Sequence, residues 1–204
     1  RNFLSKLARM EPVHIAAVGG SITTGNGIDK RAKSYGDNIL SWLQHNYRPK
    51  QGFHHEYMKI GKPGHGSYYF DQCLPSNTRY KSVEAADLII VELTANDLPL
   101  MYVEGIVDKT FNPGTSNIEG LVRKFLQLPK VPAVVFLSFG ILQDDLTWLS
   151  AQSLHQPVLK RYKIPGVSFL NFAQAEYQVT DRKIRAKILA DHVHPTVNGH
   201  ILAA

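Results

Sequence analysis

The chain of 204 residues contains a single cysteine, Cys73, so no disulfide can form within it and the fold must rest on its core. A core of that size needs no disulfide even outside the cell, so the count leans towards a reducing compartment without fixing one. Asn-x-Ser/Thr sequons are absent, which removes one mark of secretory passage. No apolar run approaches the roughly 20 residues that span a bilayer, so no transmembrane helix is expected. The first residues, Arg1–Arg9, are basic and amphipathic but lack the apolar centre of a signal peptide. With no initiator Met and a last residue, Ala204, inside an apolar run, both ends read as trimmed. A targeting segment, including one for the secretory pathway, is expected to lie outside the chain if it exists.

Internal repeats, low-complexity tracts and linkers are also missing, which favours one domain over residues 1–204. Hydrophobic residues make up 44% and charged residues 20%, an ordinary balance for a globular protein. Lys and Arg exceed Asp and Glu by 23 to 17, a net charge of +6. That excess suits an anionic partner, and it equally suits a solubilising surface.

What the chain does have is a series of short apolar runs alternating with helical spacing. Val13–Val18, His54–Ile60, Asp87–Leu93, Val131–Ser138 and Val167–Phe172 read as strands. Tyr35–Tyr47, Ser116–Leu128, Ser153–Tyr162, Asp181–Leu189 and the stretch from Thr196 read as helices, with a helical turn at Ser67–Leu74. Pro99–Gly114 and Phe139–Ser150 read as loops, the second as a lid. Five strands alternating with helices give an α/β domain with a parallel sheet. In flavodoxin-like order the first and third strands lie side by side at the switch point, where ligand crevices open beyond the strand ends. The turns that meet there are Gly20-Ser21 and Asn96-Asp97.

Ser21, raised on a Gly-Gly-Ser corner, is a candidate nucleophile, but a serine hydroxyl is weak without a base. His194 is the strongest base candidate, because Asp191 stands three residues before it. A carboxylate at that spacing reaches the far ring nitrogen when the chain turns, fixing the tautomer. His192 is a competitor for the role. A metal site from Asp191, His192, His194 and His200 is a further reading, although no other ligand cluster accompanies it. Acyl transfer also needs donors for a developing oxyanion. Candidates are the backbone N–H of Ser21, the backbone N–H of Gly64 and the side-chain amide of Asn96, with Gly66 as the alternative to Gly64. Gly20 and Gly25 have the spacing that begins a P-loop, but Asn26-Gly27 stand where Lys and Ser/Thr are required. Lys160–Lys163 and Arg182–Lys187 are basic but read as solvated helix faces, so nucleic acid is not an expected partner.

These residues resemble the SGNH (GDSL-like) hydrolases. Gly19-Gly20-Ser21 stands where that family has Gly-Asp-Ser, Gly64 matches its second-block glycine, and Asn96-Asp97 match the Asn-Asp of the third. Asp191-x-x-His194-Pro195 matches the last block. The resemblance implies a three-layer α/β/α fold and a triad of Ser21, His194 and Asp191. It further implies an oxyanion hole from Ser21, Gly64 and Asn96, and no metal or cofactor. It departs from the family at Gly20, usually Asp, and at Thr94, often Gly. The implied activity is carboxylic-ester hydrolysis on a small ester or an acetylated polysaccharide. Aromatic residues at Tyr68, Tyr69, Phe70 and Trp148 suit sugar rings or acyl chains. Lipase or thioesterase activity, O-acetyl transfer and a non-catalytic carbohydrate-binding module are the alternatives.

Overall fold

The apolar runs pair side by side as one parallel sheet with helices against both of its faces. The computed structural model describes residues 2–50, 52–76, 78–98, 113–142, 148–177 and 182–204. In chain order these form α1 (Asn2–Ala8), β1 (His14–Gly19), α2 (Ser21–Thr24), α3 (Tyr35–Asn46), β2 (Glu56–Gly61), α4 (Ser67–Cys73), α5 (Tyr80–Glu84) and β3 (Leu88–Glu92). There follow α6 (Pro113–Leu126), β4 (Ala133–Ser138), β5 (Ile141–Leu142), β6 (Trp148–Leu149) and α7 (Gln152–Tyr162). The chain ends with β7 (Gly166–Ser168), α8 (Phe169–Tyr177), α9 (Arg182–Ile188) and α10 (Val197–Leu202). Most of the stretch read as a long loop, 99–112, lies outside the described residues, as do 143–147 of the expected lid.

The sheet runs β2-β1-β3-β4-β7 with every neighbour parallel. This is the flavodoxin-like order, with β1 beside β3 at the switch point. Strand side chains alternate between faces. Ala16, Val18, Ile89 and Val91 therefore pack with Phe70 of α4, Ile118, Leu121, Val122 and Phe125 of α6, and Val158 of α7. Ile15, Ala17 and Ile90 pack on the other face with Leu7, Tyr35, Leu43, Phe169, Ala173 and Ile188. Phe125 is fully buried, and emptying such a site costs about 3–5 kcal/mol. Three layers follow from three strands that are apolar on both faces. Among the described residues, no helix is long and apolar enough to cross a membrane.

Two local differences from the sequence reading have clear causes. The fifth strand ends at Ser168 rather than Phe172, because Ser168 Oγ accepts a hydrogen bond from Asn171 N–H at 3.0 Å and caps a helix. Phe169 and Ala173 then bury on one side of α8, at helical rather than strand spacing. Within the expected lid, Ile141–Leu142 and Trp148–Leu149 pair as a small antiparallel hairpin.

Candidate active site

Ser21 follows the carboxyl end of β1 and is the first residue of α2, only 8% exposed. Behind it, Thr23 Oγ1 lies 2.9 Å from Tyr35 Oη and donates to Glu92 Oε2 at 3.0 Å. Glu92, at the end of β3, is fully buried and its Oε1 has no hydrogen-bond partner. Burial pushes its carboxyl up from 4.5 to about 8, a rise that the Thr23 hydroxyl only partly offsets. The sequence reading treated Glu92 as an ordinary strand residue; its one signal was a lone acid within an apolar run.

The Asp191–His194 segment is a tight turn between α9 and α10. Ala190 N–H bonds His194 O at 2.8 Å and Thr196 N–H bonds Ile188 O at 3.0 Å, which clamps both sides of it. Asp191 Oδ1 accepts from Val193 N–H at 2.7 Å and from His194 N–H at 2.8 Å. Its other oxygen, Oδ2, accepts from His194 Nδ1 at 2.7 Å. That bond places the ring proton on Nδ1 and leaves Nε2 to accept from Ser21 Oγ at 2.8 Å. Burial alone would raise the Asp191 carboxyl, but the hydrogen bonds from His194 and Val193 outweigh it and hold it below the ordinary value. Gly27, at φ +91°, admits this turn: a Cβ there would lie 2.6 Å from His194 Cβ.

The competing histidines are engaged elsewhere. His192 Nδ1 is 3.0 Å from Leu142 O, and Leu142 N–H bonds His192 O at 2.8 Å, so His192 fastens the small hairpin. His200 Nδ1 accepts from Tyr35 N–H at 3.2 Å, and burial pushes its ring down to about 4. Among the described residues no three His, Cys, Asp or Glu side chains gather as metal ligands.

Asn96 stands on the turn after β3, with its own N–H bonded to Leu93 O at 3.0 Å. Its side chain lies across the Gly20 backbone, where a Cβ would fall 1.9 Å from Asn96 Oδ1. The glycine that meets this turn is Gly66, where the sequence reading preferred Gly64. A Cβ on Gly66 would come 2.1 Å from Asp97 Oδ1 and 3.1 Å from Asn96 O. Gly64 has φ +73°, and a Cβ there would meet nothing within 4 Å. The N–H groups of Ser21 and Gly66 have no acceptor among the described residues. Of the aromatic candidates, Phe70 belongs to the core, while Tyr68 is 68% exposed beside Gly66. Tyr69 meets the His65 ring edge-on at 4.6 Å. The Trp148 side chain lies outside the described residues.

A model of the GDSL-like Lipase/Acylhydrolase family matches residues 17–202, which takes in every residue placed above. The chain belongs to this family. No curated protein matches it by sequence. Among solved structures it is similar to CEX, a two-domain esterase active on acetylated mannans, co-crystallised with mannopentaose, at 22% identity and a TM-score of 0.74. That match covers 98% of this chain and 49% of the other, so the chain spans about half of the two-domain esterase. A catalytic mutant of Axe2, an acetylxylan esterase from Geobacillus stearothermophilus, is similar at 15% identity and a TM-score of 0.68. There the match covers 93% of this chain and 90% of that one. A lipase from a goat rumen metagenome is similar at 15% identity and a TM-score of 0.65, over 94% of this chain and 93% of the other. Likeness at these identities carries the shared fold, while family membership rests on the sequence match.

Proposed function

We propose that this GDSL-like family member is a serine carboxylic-ester hydrolase that removes acetyl groups from a polysaccharide. The observation that carries the reading is the hydrogen-bonded chain from Asp191 through His194 to Ser21 Oγ, at 2.7 and 2.8 Å. Ser21 Oγ attacks the ester carbonyl carbon while His194 Nε2 takes its proton. Asp191 holds the imidazole and stabilises the imidazolium that forms. The carbonyl oxygen, now negative, is held by the N–H groups of Ser21 and Gly66 and the Asn96 amide. His194 returns the proton to the leaving alcohol, which departs and leaves an acyl group on Ser21. A water then attacks that acyl group with His194 again as base, releasing the acid and restoring Ser21.

An acetylated polysaccharide is supported by the exposed Tyr68 beside Gly66, an aromatic face of the kind that stacks on sugar rings. The named activities of the acetylmannan and acetylxylan esterases of the same fold point the same way. The net charge of +6 favours acidic over neutral chains.

Hydrolysis of p-nitrophenyl acetate, butyrate and decanoate tests the reading, together with acetate release from acetylated mannan and xylan. Ser21→Ala and His194→Ala should each lower kcat by about 10³-fold or more. Variants as active as the parent would sink the triad, and a preference for decanoate would sink the acetylesterase assignment. Acetyl transfer to a sugar acceptor in place of acetate release would move the reading to an O-acetyltransferase.

A further inference from the structure

Asn96 and Gly66 come from loops that follow different strands, and the carboxylate next to Asn96 in the chain reaches the Gly66–Ser67 peptide. Asp97, the residue after Asn96, accepts from Ser67 N–H at Oδ1 across 2.6 Å. Ser67 opens α4, so its N–H is one of the first donors of the helix and has no acceptor within it. Asp97 supplies the missing acceptor from the neighbouring loop. Its second oxygen, Oδ2, lies 2.8 Å from His155 Nε2, and the two side chains are 5% and 1% exposed. A carboxylate can only accept from its partner here, so His155 carries its proton on Nε2. His155 sits in α7. Its ring meets Phe136 of β4 edge-on at 5.9 Å, and its Nδ1 is buried without a partner.

We propose that Asp97 and His155 are a positioning pair that sets the two oxyanion donors, Gly66 N–H and the Asn96 amide, in register. The proposal rests on the esterase reading above. The bond to Ser67 N–H fixes the rotation of the Gly66–Ser67 peptide, and through it where the Gly66 N–H points. The same carboxylate holds the Asn96-Asp97 turn, and hence the base of the Asn96 side chain. His155 keeps that carboxylate from rotating. Both Asp97 oxygens are used, so neither donor can shift without breaking a buried bond. The bond also draws Asp97 negative charge towards His155, away from the place where the substrate oxygen becomes negative. Misplacing such donors by about 1 Å is enough to cost roughly 10²-fold in rate.

His155→Gln and His155→Asn separate positioning from packing. A Gln amide offers its N–H where the imidazole has Nε2, whereas an Asn amide offers it where the imidazole has Nδ1. Both variants keep a polar group of similar size in the same buried place. His155→Gln should hold kcat for p-nitrophenyl acetate within about threefold, and His155→Asn should lower it by about 10- to 100-fold with KM within twofold. Inhibition by an aryl trifluoromethyl ketone, whose hemiketal oxygen uses the same donors, should weaken in step with kcat/KM. Inhibition by the product alcohol should not change. Thermal melts of both variants establish that each is folded, and Asp97→Asn is read in the same assays if His155→Asn is not. That variant keeps an acceptor for Ser67 N–H but gives up the carboxylate, and it should also lose kcat and ketone affinity together. Equal kcat and ketone inhibition for the Gln and Asn forms, or an Asp97→Asn enzyme as active as the parent, would overturn the pair while leaving the esterase standing. A parent without Ser21-dependent hydrolysis would overturn both.

Discussion

Glu92 offers a quantitative test, because nothing in the proposed catalysis needs its charge and its burial disfavours one. It is fully buried behind the Ser21 turn, with Oε2 bonded to Thr23 and Oε1 unpartnered. Burial is the chief cause that moves its carboxyl from 4.5 to about 8. In the folded chain Glu92 therefore holds a proton that the unfolded chain releases once the pH passes 4.5. The sign follows from linkage: stability is full below the unfolded value and is lost as pH rises towards the folded one. At about 1.4 kcal/mol per pH unit, the loss between pH 4.5 and 7 comes to roughly 3 kcal/mol. Glu92→Gln removes this dependence while keeping an oxygen to accept from Thr23. The new amide adds a buried N–H group that costs about 1–3 kcal/mol, the same at every pH.

Urea unfolding of both proteins at pH 4.5, 5.5, 6.5 and 7.5 reads the effect as a difference. His200, whose ring burial pushes down to about 4, loses stability at the acid end, but it is common to both proteins and cancels. The stability of Glu92→Gln relative to the parent should rise by about 3 kcal/mol between pH 4.5 and 7. Ester hydrolysis should stay within about threefold, because no reacting atom touches this carboxyl. A stability difference that does not change with pH would refute the buried neutral acid. One that falls with pH would mean that Glu92 is charged in the folded chain.

Gly66→Ala should lower kcat by about 10²-fold, because its Cβ would fall 2.1 Å from Asp97 Oδ1. Gly64→Ala should keep kcat and lose only about 1–2 kcal/mol, for placing a side chain at φ +73°. Paired activity and melting measurements compare them, and the reverse ranking would restore Gly64 as the donor. Gly20→Ala should displace the Asn96 amide, which a Cβ would approach to 1.9 Å. The expected loss is about 10²- to 10³-fold in kcat with little change in KM, and an unaffected kcat would remove Asn96 from the oxyanion hole.

The sheet was legible in the sequence where strands are apolar on both faces, as in His14–Gly19, Leu88–Glu92 and Ala133–Ser138. Burial on both faces leaves a short apolar run as the signature of a parallel strand. The last strand was read too long because Val167 to Phe172 is a short, mostly apolar run, and the Ser168 cap acts only through a bond to Asn171. The hairpin in the expected lid is too short for any periodic pattern to show. That Ser21, Asp191 and His194 lie together was legible because the carboxylate and imidazole share one turn and Ser21 follows its own strand. Gly64 and Gly66 flank the same loop, and the sequence has no means of ranking them. Only contact with Asn96 and Asp97, some 30 residues away, separates them. His155 was beyond reach for the same reason, since its partner is 58 residues distant and its helix reads as ordinary.

The two departures from the family pattern, Gly20 and Thr94, have structural roles that fit one another. The volume a side chain at position 20 would occupy is filled by the Asn96 amide, whose Oδ1 lies 1.9 Å from the site of the missing Cβ. An aspartate there would compete with Asn96 for the same space, so in this chain the smaller residue is what lets Asn96 lie along the nucleophile turn. Thr94 steadies the other end of the same loop. Its hydroxyl donates to Phe139 O at 2.9 Å and accepts from Phe139 N–H at 2.8 Å, while its carbonyl accepts from Ala151 N–H at 3.0 Å. A glycine would leave the Phe139 N–H without a partner in a buried place, at about 1–3 kcal/mol, while Phe139 O would keep the Ser150 hydroxyl at 2.7 Å. The loop that carries Asn96 is thus held from β4 by Thr94 and from α7 by Asp97, and Gly20 leaves room for what it carries. An aspartate at position 20 alone would therefore push the Asn96 side chain from the place it occupies here.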